Sequence, residues 1–204
     1  MRSIWWALFL VIAPFAVRAE VPWIDAGESS GTHVWYRDLP DVNAREIKAE
    51  TVMAAPPERV WAVISDISAY PEFMPYLKEI RKIADCEGGY YQYERVSPPV
   101  IDERDYGLKI TLTNDPSSGV WKRHWALANE QAPALVKGVV RVTVNEGTFE
   151  LRREGEGKTR FLYQLLTNPG GSVPMWIAKR ASTGSVPDLL DGIRKRSINP
   201  SWRR

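Results

Sequence analysis

The chain has 204 residues, 44% apolar and 25% charged, with 27 basic against 25 acidic side chains. That suits one domain of ordinary size and excludes general disorder. The single cysteine, Cys86, rules out an intrachain disulfide, so the core alone must hold the fold together.

Residues 1–19 place Arg2 before an apolar run, Ile4 to Val17, and end on Val17-Arg18-Ala19. This fits a secretory signal cleaved near Ala19. The run contains Pro14 and is short for a membrane span of ~20 residues. A lipid anchor would need a cysteine directly after it, and Cys86 is far away. The expected location is therefore periplasmic or secreted. Losing Arg2 and Arg18 leaves 25 basic and 25 acidic residues, so the mature chain has no general pull on nucleic acid. The stretch RKRSINPSWRR at 194–204 reads as a solvated basic tail, with contact to anionic lipid as the alternative.

Residues 20–32 are polar, with Trp23 as a possible anchor. His33 to Arg37 reads as a strand, and so does Ala44 to Met53, where Ile47 and Ala49 alternate with charge. The period then changes. Pro57 and Glu58 open a helix whose Val60, Val63 and Ile64 share a face, and Tyr70-Pro71 ends it. Strands follow from MPYLKEIRKIAD, at 90–96, 103–114, 119–128, 139–153 and 158–167. The last element, roughly 173–196, reads as an amphipathic helix carrying Trp176, Ile177, Leu189, Leu190 and Ile193. Gly184 and Pro187 in its middle weaken it locally and suggest a bend. Two strands, a helix, about six strands and a terminal helix imply an α+β fold with an antiparallel sheet.

Several chemistries lack their residues. Two histidines and no HExxH leave no zinc site, and no cofactor is expected. GEGKT at 155–159 has Arg152 where a phosphate loop needs glycine, and it reads as a hairpin turn. GxSxG is absent. Asp102, Glu103 and Asp105 around Arg104 read as a strand start rather than a catalytic carboxylate pair.

Without Trp5 and Trp6 the mature chain keeps seven of nine tryptophans and all eight tyrosines. Trp121, Arg123, Trp125 and Leu127 share one strand face, which either packs a core or lines a pocket. Arg104 shares a face with Tyr106, Leu108 and Ile110. If that face is interior, Arg104 needs a carboxylate or carbonyl partner, and it either orders the sheet end or points into a cavity.

Three segments together resemble the START (steroidogenic-acute-regulatory-protein-related lipid-transfer) domains of the helix-grip superfamily. They are APPERVWAVISDISAYPEFMPYLKEI at 55–80, SPPVIDERDYGLKI at 97–110 and NPGGSVPMWIAKRASTGSVPDLLDGIRKR at 168–196. The resemblance implies a curved antiparallel sheet gripping the C-terminal helix, with a hydrophobic tunnel between them that binds one lipid or sterol-like molecule without catalysis. It implies that Tyr106, Tyr163, Leu189 and Ile193 line the tunnel. The strands add Tyr91, Tyr93, Arg104, Leu108, Ile110, Trp121, Trp125, Phe161 and Leu165 as candidate ligand-binding residues, and the helix adds Val186. Some sterol-handling relatives place a buried acid–base pair where this chain has Tyr91 and Ile110, so the pocket is expected to be less ionic. Lys179 also stands where the family often has Asn.

The expected organisation is a signal at 1–19, a ligand-binding domain at 20–196 and a basic tail at 197–204. The expected partner is a lipid or other hydrophobic small molecule, with transient membrane contact, no nucleic acid and a monomeric state. Two alternatives stand beside the carrier. One is a superfamily cyclase or hydrolase using Arg104, Tyr91 or Asp105. The other is a sensor that signals through the tail or Trp23.

Overall fold

A computed structural model describes residues 20–115, 117–171 and 184–202. The signal-like segment and the expected helix start, with Trp176, Ile177 and Lys179, lie outside the described residues.

Ten strands form one sheet. They are β1 (Ile24–Ser29), β2 (Thr32–Leu39), β3 (Ala44–Met53), β4 (Leu77–Cys86), β5 (Gly89–Val96), β6 (Glu103–Asp115), β7 (Val120–Leu127), β8 (Val139–Arg141), β9 (Val144–Arg153) and β10 (Thr159–Asn168). The order is β1-β2-β3-β10-β9-β7-β6-β5-β4, antiparallel throughout, with β8 added parallel to the start of β6. Helices α1 (Pro57–Ser65) and α2 (Val186–Ile198) pack on one face of the sheet and against each other. This is an α+β, helix-grip-like arrangement.

The strand periods explain the core. On β3, Ile47, Ala49 and Met53 are buried, and on α1 Val60, Val63 and Ile64 are fully buried. Each large aliphatic side chain removed from water contributes about 1.5–3 kcal/mol. Phe161 and Leu151, paired across β10 and β9, lie at the centre.

The structure departs from the sequence reading in five places. Residues 24–29 form an edge strand, because pairing to β2 needs no apolar alternation when only one side is bonded. The run 139–153 is two strands, since the chain pairs parallel with β6 before turning to run between β7 and β10. Helix α1 stops at Ser65 rather than Tyr70, because Tyr70 folds back and donates its hydroxyl to the Ile64 carbonyl. Pro187 sits in the first turn of α2, where its missing N–H costs nothing, after a wider π-type turn at Gly184 and Ser185. Finally, the chain beyond Arg196 is not a solvated tail as far as Trp202. Trp202 is buried, its ring lies under the Arg59 guanidinium at 4.5 Å, and Arg59 also donates to the carbonyls of Ser197, Asn199 and Trp202.

Helix α2 presses closely on the turn after α1. A Cβ at Gly192 would lie 2.8 Å from the Phe73 carbonyl oxygen, so only glycine allows this approach.

Candidate functional site

A cavity of about 110 Å³ lies between the sheet and α2. Its floor is aromatic. The Trp125 ring meets Phe149 edge-on at 4.9 Å, and Phe149 lies 5.5 Å from Tyr163. Trp125 can lie across β9 because residue 147 is glycine; a Cβ there would sit 2.3 Å from the indole ring. The indole N–H donates to Asn145 Oδ1 at 3.0 Å, which fixes the ring. Leu108, Ile110, Leu165, Met74 and Leu189 supply the aliphatic wall, Leu189 from α2.

The remaining wall is polar and deeply buried. Glu94 on β5 accepts from the Tyr106 hydroxyl at 2.9 Å and from the Gln92 amide. The Gln92 carbonyl oxygen in turn accepts from Arg123 on β7 at 3.0 Å. Arg123 also donates to the Tyr90 hydroxyl at 2.5 Å and to the Ile64 carbonyl at 3.4 Å, at the C-terminal end of α1. A helix C-terminus carries partial negative charge and so favours a cation there. The acid and the base are thus joined through Gln92 rather than by direct contact.

Burial pushes the Glu94 carboxyl above its ordinary value, against the Tyr106 hydrogen bond and the Arg123 charge that favour ionisation. For Arg123, burial acts against the charge, but Tyr70, Tyr90 and Glu94 raise it net, so it remains a cation. Burial also raises Tyr163, with Glu94 adding to the effect. The Tyr163 side chain is buried in the cavity wall, and its hydroxyl makes no hydrogen bond among the described residues.

The opposite face of the sheet holds a second buried cluster. Asp105 is fully buried and accepts from Arg141 Nε at 2.7 Å and Nη2 at 3.0 Å, and from the Tyr93 hydroxyl at 3.0 Å. Burial and the Asp105 carboxylate push the Tyr93 phenol up to about 12. This cluster pins β8 to β6 and does not reach the cavity.

Residues 53–194, more than half of the chain, match the family described as polyketide cyclase / dehydrase and lipid transport. The chain belongs to that family. An uncharacterised protein of Pseudomonas aeruginosa is 24% identical over 198 residues, covering 95% of this chain and 97% of its own. The bovine phosphatidylcholine transfer protein is 24% identical over 147 residues, 70% of this chain and 68% of its own. The crystal structure of a STAR-related lipid transfer protein from Xanthomonas axonopodis superposes with a TM-score of 0.76 at 24% identity, over 87% of this chain and 99% of that one. Human StAR-related lipid transfer protein 5 gives 0.77 at 14% identity, over 86% of each chain.

Within this polyketide cyclase / dehydrase and lipid transport fold, the sequence-derived candidates separate into three groups. Tyr106, Leu108, Ile110, Trp125, Tyr163, Leu165 and Leu189 line the cavity. Trp121, Phe161, Val186 and Ile193 are buried in the surrounding core and do not line it. Tyr91, Tyr93 and Arg104 lie elsewhere. Strand alternation turns Gln92 and Glu94 inward, so Tyr91 and Tyr93 face the other side. Arg104 orders the sheet end instead: it donates to the carbonyls of Pro169 at 3.3 Å, Gly170 at 3.4 Å and Asp102.

The less ionic pocket is also corrected. Tyr91 and Ile110 are indeed uncharged, but Glu94 and Arg123 bring an acid and a base to the wall from other positions. Glu94, Tyr70, Met74, Asn145 and Phe149 were missed as lining residues, and Arg123, read on the right strand face, was not among the candidate ligand-binding residues. Arg123 could have been found from the shared face with Trp121 and Trp125, and Glu94 from strand parity. A charge on an inward position is unusual enough that the neighbouring tyrosines drew the choice.

Proposed function

We propose that this protein binds a single hydrophobic molecule between the sheet and α2 and carries it as a lipid-transfer protein, without chemistry. The observation that carries this reading is the cavity at the sheet–helix junction. Its walls are mostly aromatic and aliphatic, with a few convergent polar groups, which is the make-up of ligand sites. The names of the bovine phosphatidylcholine transfer protein and the STAR-related neighbours support it.

The enzyme alternative loses its residues. Arg104 is spent on carbonyls at the sheet end, Asp105 is locked to Arg141 on the opposite face, and Tyr91 lies on that face too. The aromatase/cyclase from Streptomyces shares the fold at a TM-score of 0.53 and 17% identity, which speaks to architecture alone.

The cavity of about 110 Å³ is smaller than the ~300–1,000 Å³ of ordinary ligand sites, so the loaded tunnel is a widened form of this one. The widening falls on Leu189 and Met74, which close the cavity from α2 and from the turn after α1. The signal-like start makes the carrier an exported one in this proposal. The test uses residues 20–204 expressed and purified. Mass spectrometry of an organic extract should find copurified lipid, and a fluorescent lipid panel should show saturable uptake. Failure of both sinks the reading.

A further inference from the structure

The loops at one end of the sheet carry apolar side chains into solvent. Val100, between β5 and β6, is 75% exposed, and Leu135, between β7 and β8, is 71% exposed. Val136 and Val42, the latter in the β2–β3 turn, are exposed as well. The fold gathers these tips on one rim. Glu103 and Val139 pair in the parallel β6–β8 ladder, and Val100 and Val136 lie equally far ahead of them. Arg104 ties the end of β10, at Pro169 and Gly170, to the start of β6. Asn168 donates its amide to the Asn43 carbonyl at 2.6 Å, beside Val42. Tyr106, Asn145 and Leu165 of the cavity wall sit on these same strand ends, so the rim borders the cavity.

Val100 is the decisive position. Its φ is +61°, a backbone that a β-branched residue adopts only under strain. Asparagine takes that conformation more easily and suits water better. The chain instead holds an apolar side chain outward against its own backbone preference. The rim is also not basic, since the same loops carry Asp41, Asp102 and Glu130 against Lys137. Separate apolar tips on several loops do not make the continuous core of a protein interface. Each can enter the boundary layer of a bilayer by itself. Resting on the carrier reading above, we infer that this rim docks on a bilayer without net surface charge, by apolar insertion, and brings the cavity to the lipid. The basic C-terminal stretch takes no part. Trp202 is folded against Arg59 at the start of α1, the end of the sheet opposite the rim, where Arg153 at the end of β9 also meets Glu58.

The test floats residues 20–204 with vesicles of phosphatidylcholine, alone and mixed with phosphatidylglycerol, at low and high salt. Binding to phosphatidylcholine alone should equal or exceed binding to the mixture and should hold as salt rises. Leu135→Ser and Val100→Asn should each weaken binding on the order of tenfold. Ile198→Ser, which removes an exposed apolar side chain at the far end of α2, should leave it unchanged. Thermal unfolding gives a second readout: Val100→Asn should melt at or above the parent while binding vesicles less. A lower midpoint would show that the valine serves the fold, and overturns the inference. Binding that needs phosphatidylglycerol and vanishes with salt overturns it too. So does binding that the rim variants keep, or a parent that pairs in solution until Leu135→Ser separates it. A protein that copurifies with lipid but binds no vesicle overturns the inference and leaves the carrier standing. Neither lipid nor vesicle binding overturns both.

Discussion

Arg194 on α2 donates to the Ser30 carbonyl at 2.6 Å, joining positions 164 apart in the chain at the β1–β2 turn. The same guanidinium reaches the Gly31 carbonyl at 3.3 Å, the hydroxyls of Thr32 and Thr51, and Asp191 one turn back on the helix. One side chain thus fastens the last helix to the far edge of the sheet. Arg194→Ala should destabilise the domain by about 1.5–3 kcal/mol, the range for hydrogen bonds to a charged group. Denaturant unfolding checks it; a change below about 0.5 kcal/mol would show the clasp to be ornamental.

Glu94 makes stability depend on pH with an unusual sign for a carboxylate. Its folded value stands above the ordinary 4.5, so the folded state holds the proton more tightly than the unfolded chain. Its contribution is complete below pH 4.5 and declines as pH rises through the raised value. Glu94→Gln mimics the protonated acid and should remove the decline. Melting both proteins from acid to neutral pH tests this, and parallel profiles would contradict it.

Gly147 should tolerate no side chain. An alanine there puts its Cβ 2.3 Å from the Trp125 ring and 2.4 Å from the Gln164 carbonyl oxygen. The indole must leave its place over β9 and its bond to Asn145. We expect a loss of about 1–3 kcal/mol, a shift in tryptophan emission and weakened ligand uptake. Retained emission and uptake would show that the ring moves without consequence.

Removing the last residues from Pro200 onward should cost about 2 kcal/mol, because it deletes the buried Trp202 ring and takes from Arg59 that ring and one of its three carbonyl acceptors. If the shortened protein melts with the full chain, the packing of Trp202 is incidental. The same deletion tests the sensor alternative, which would have the tail contact a partner instead of its own domain.

Most of the sheet was legible because its strands are bounded by turns and keep period two. Ile47 and Ala49 on β3, and Leu108 and Ile110 on β6, fall inward as their alternation requires. Strand β1 was not legible, since Asp25, Gly27 and Glu28 carry no pattern and pair only because β2 presents an edge. The site was half legible for a related reason. Its apolar members follow parity, but Glu94 and Arg123 are inward charges that depend on each other through Gln92, a relation across strands that no single strand displays. The start of α1 was plain from Pro57, whereas its end depends on Tyr70 and Arg123 meeting at one carbonyl.

The ties on α2 are unevenly spaced. Among the described residues, Arg194, Arg196 and the Arg59 contacts all grip its second half, while Leu189, which closes the cavity, belongs to the first. The polar ties therefore hold the second half of the helix, while its first half rests on the core through Val186, Leu189 and Leu190. From Arg194 back to Val186 the distance is ~12 Å at 1.5 Å per residue, so a tilt of roughly 10° about Arg194 displaces Val186 by about 2 Å. Small angular compliance at the clamp becomes a linear change in cavity width, and stiffening the clamp is the mechanical route to holding that width fixed.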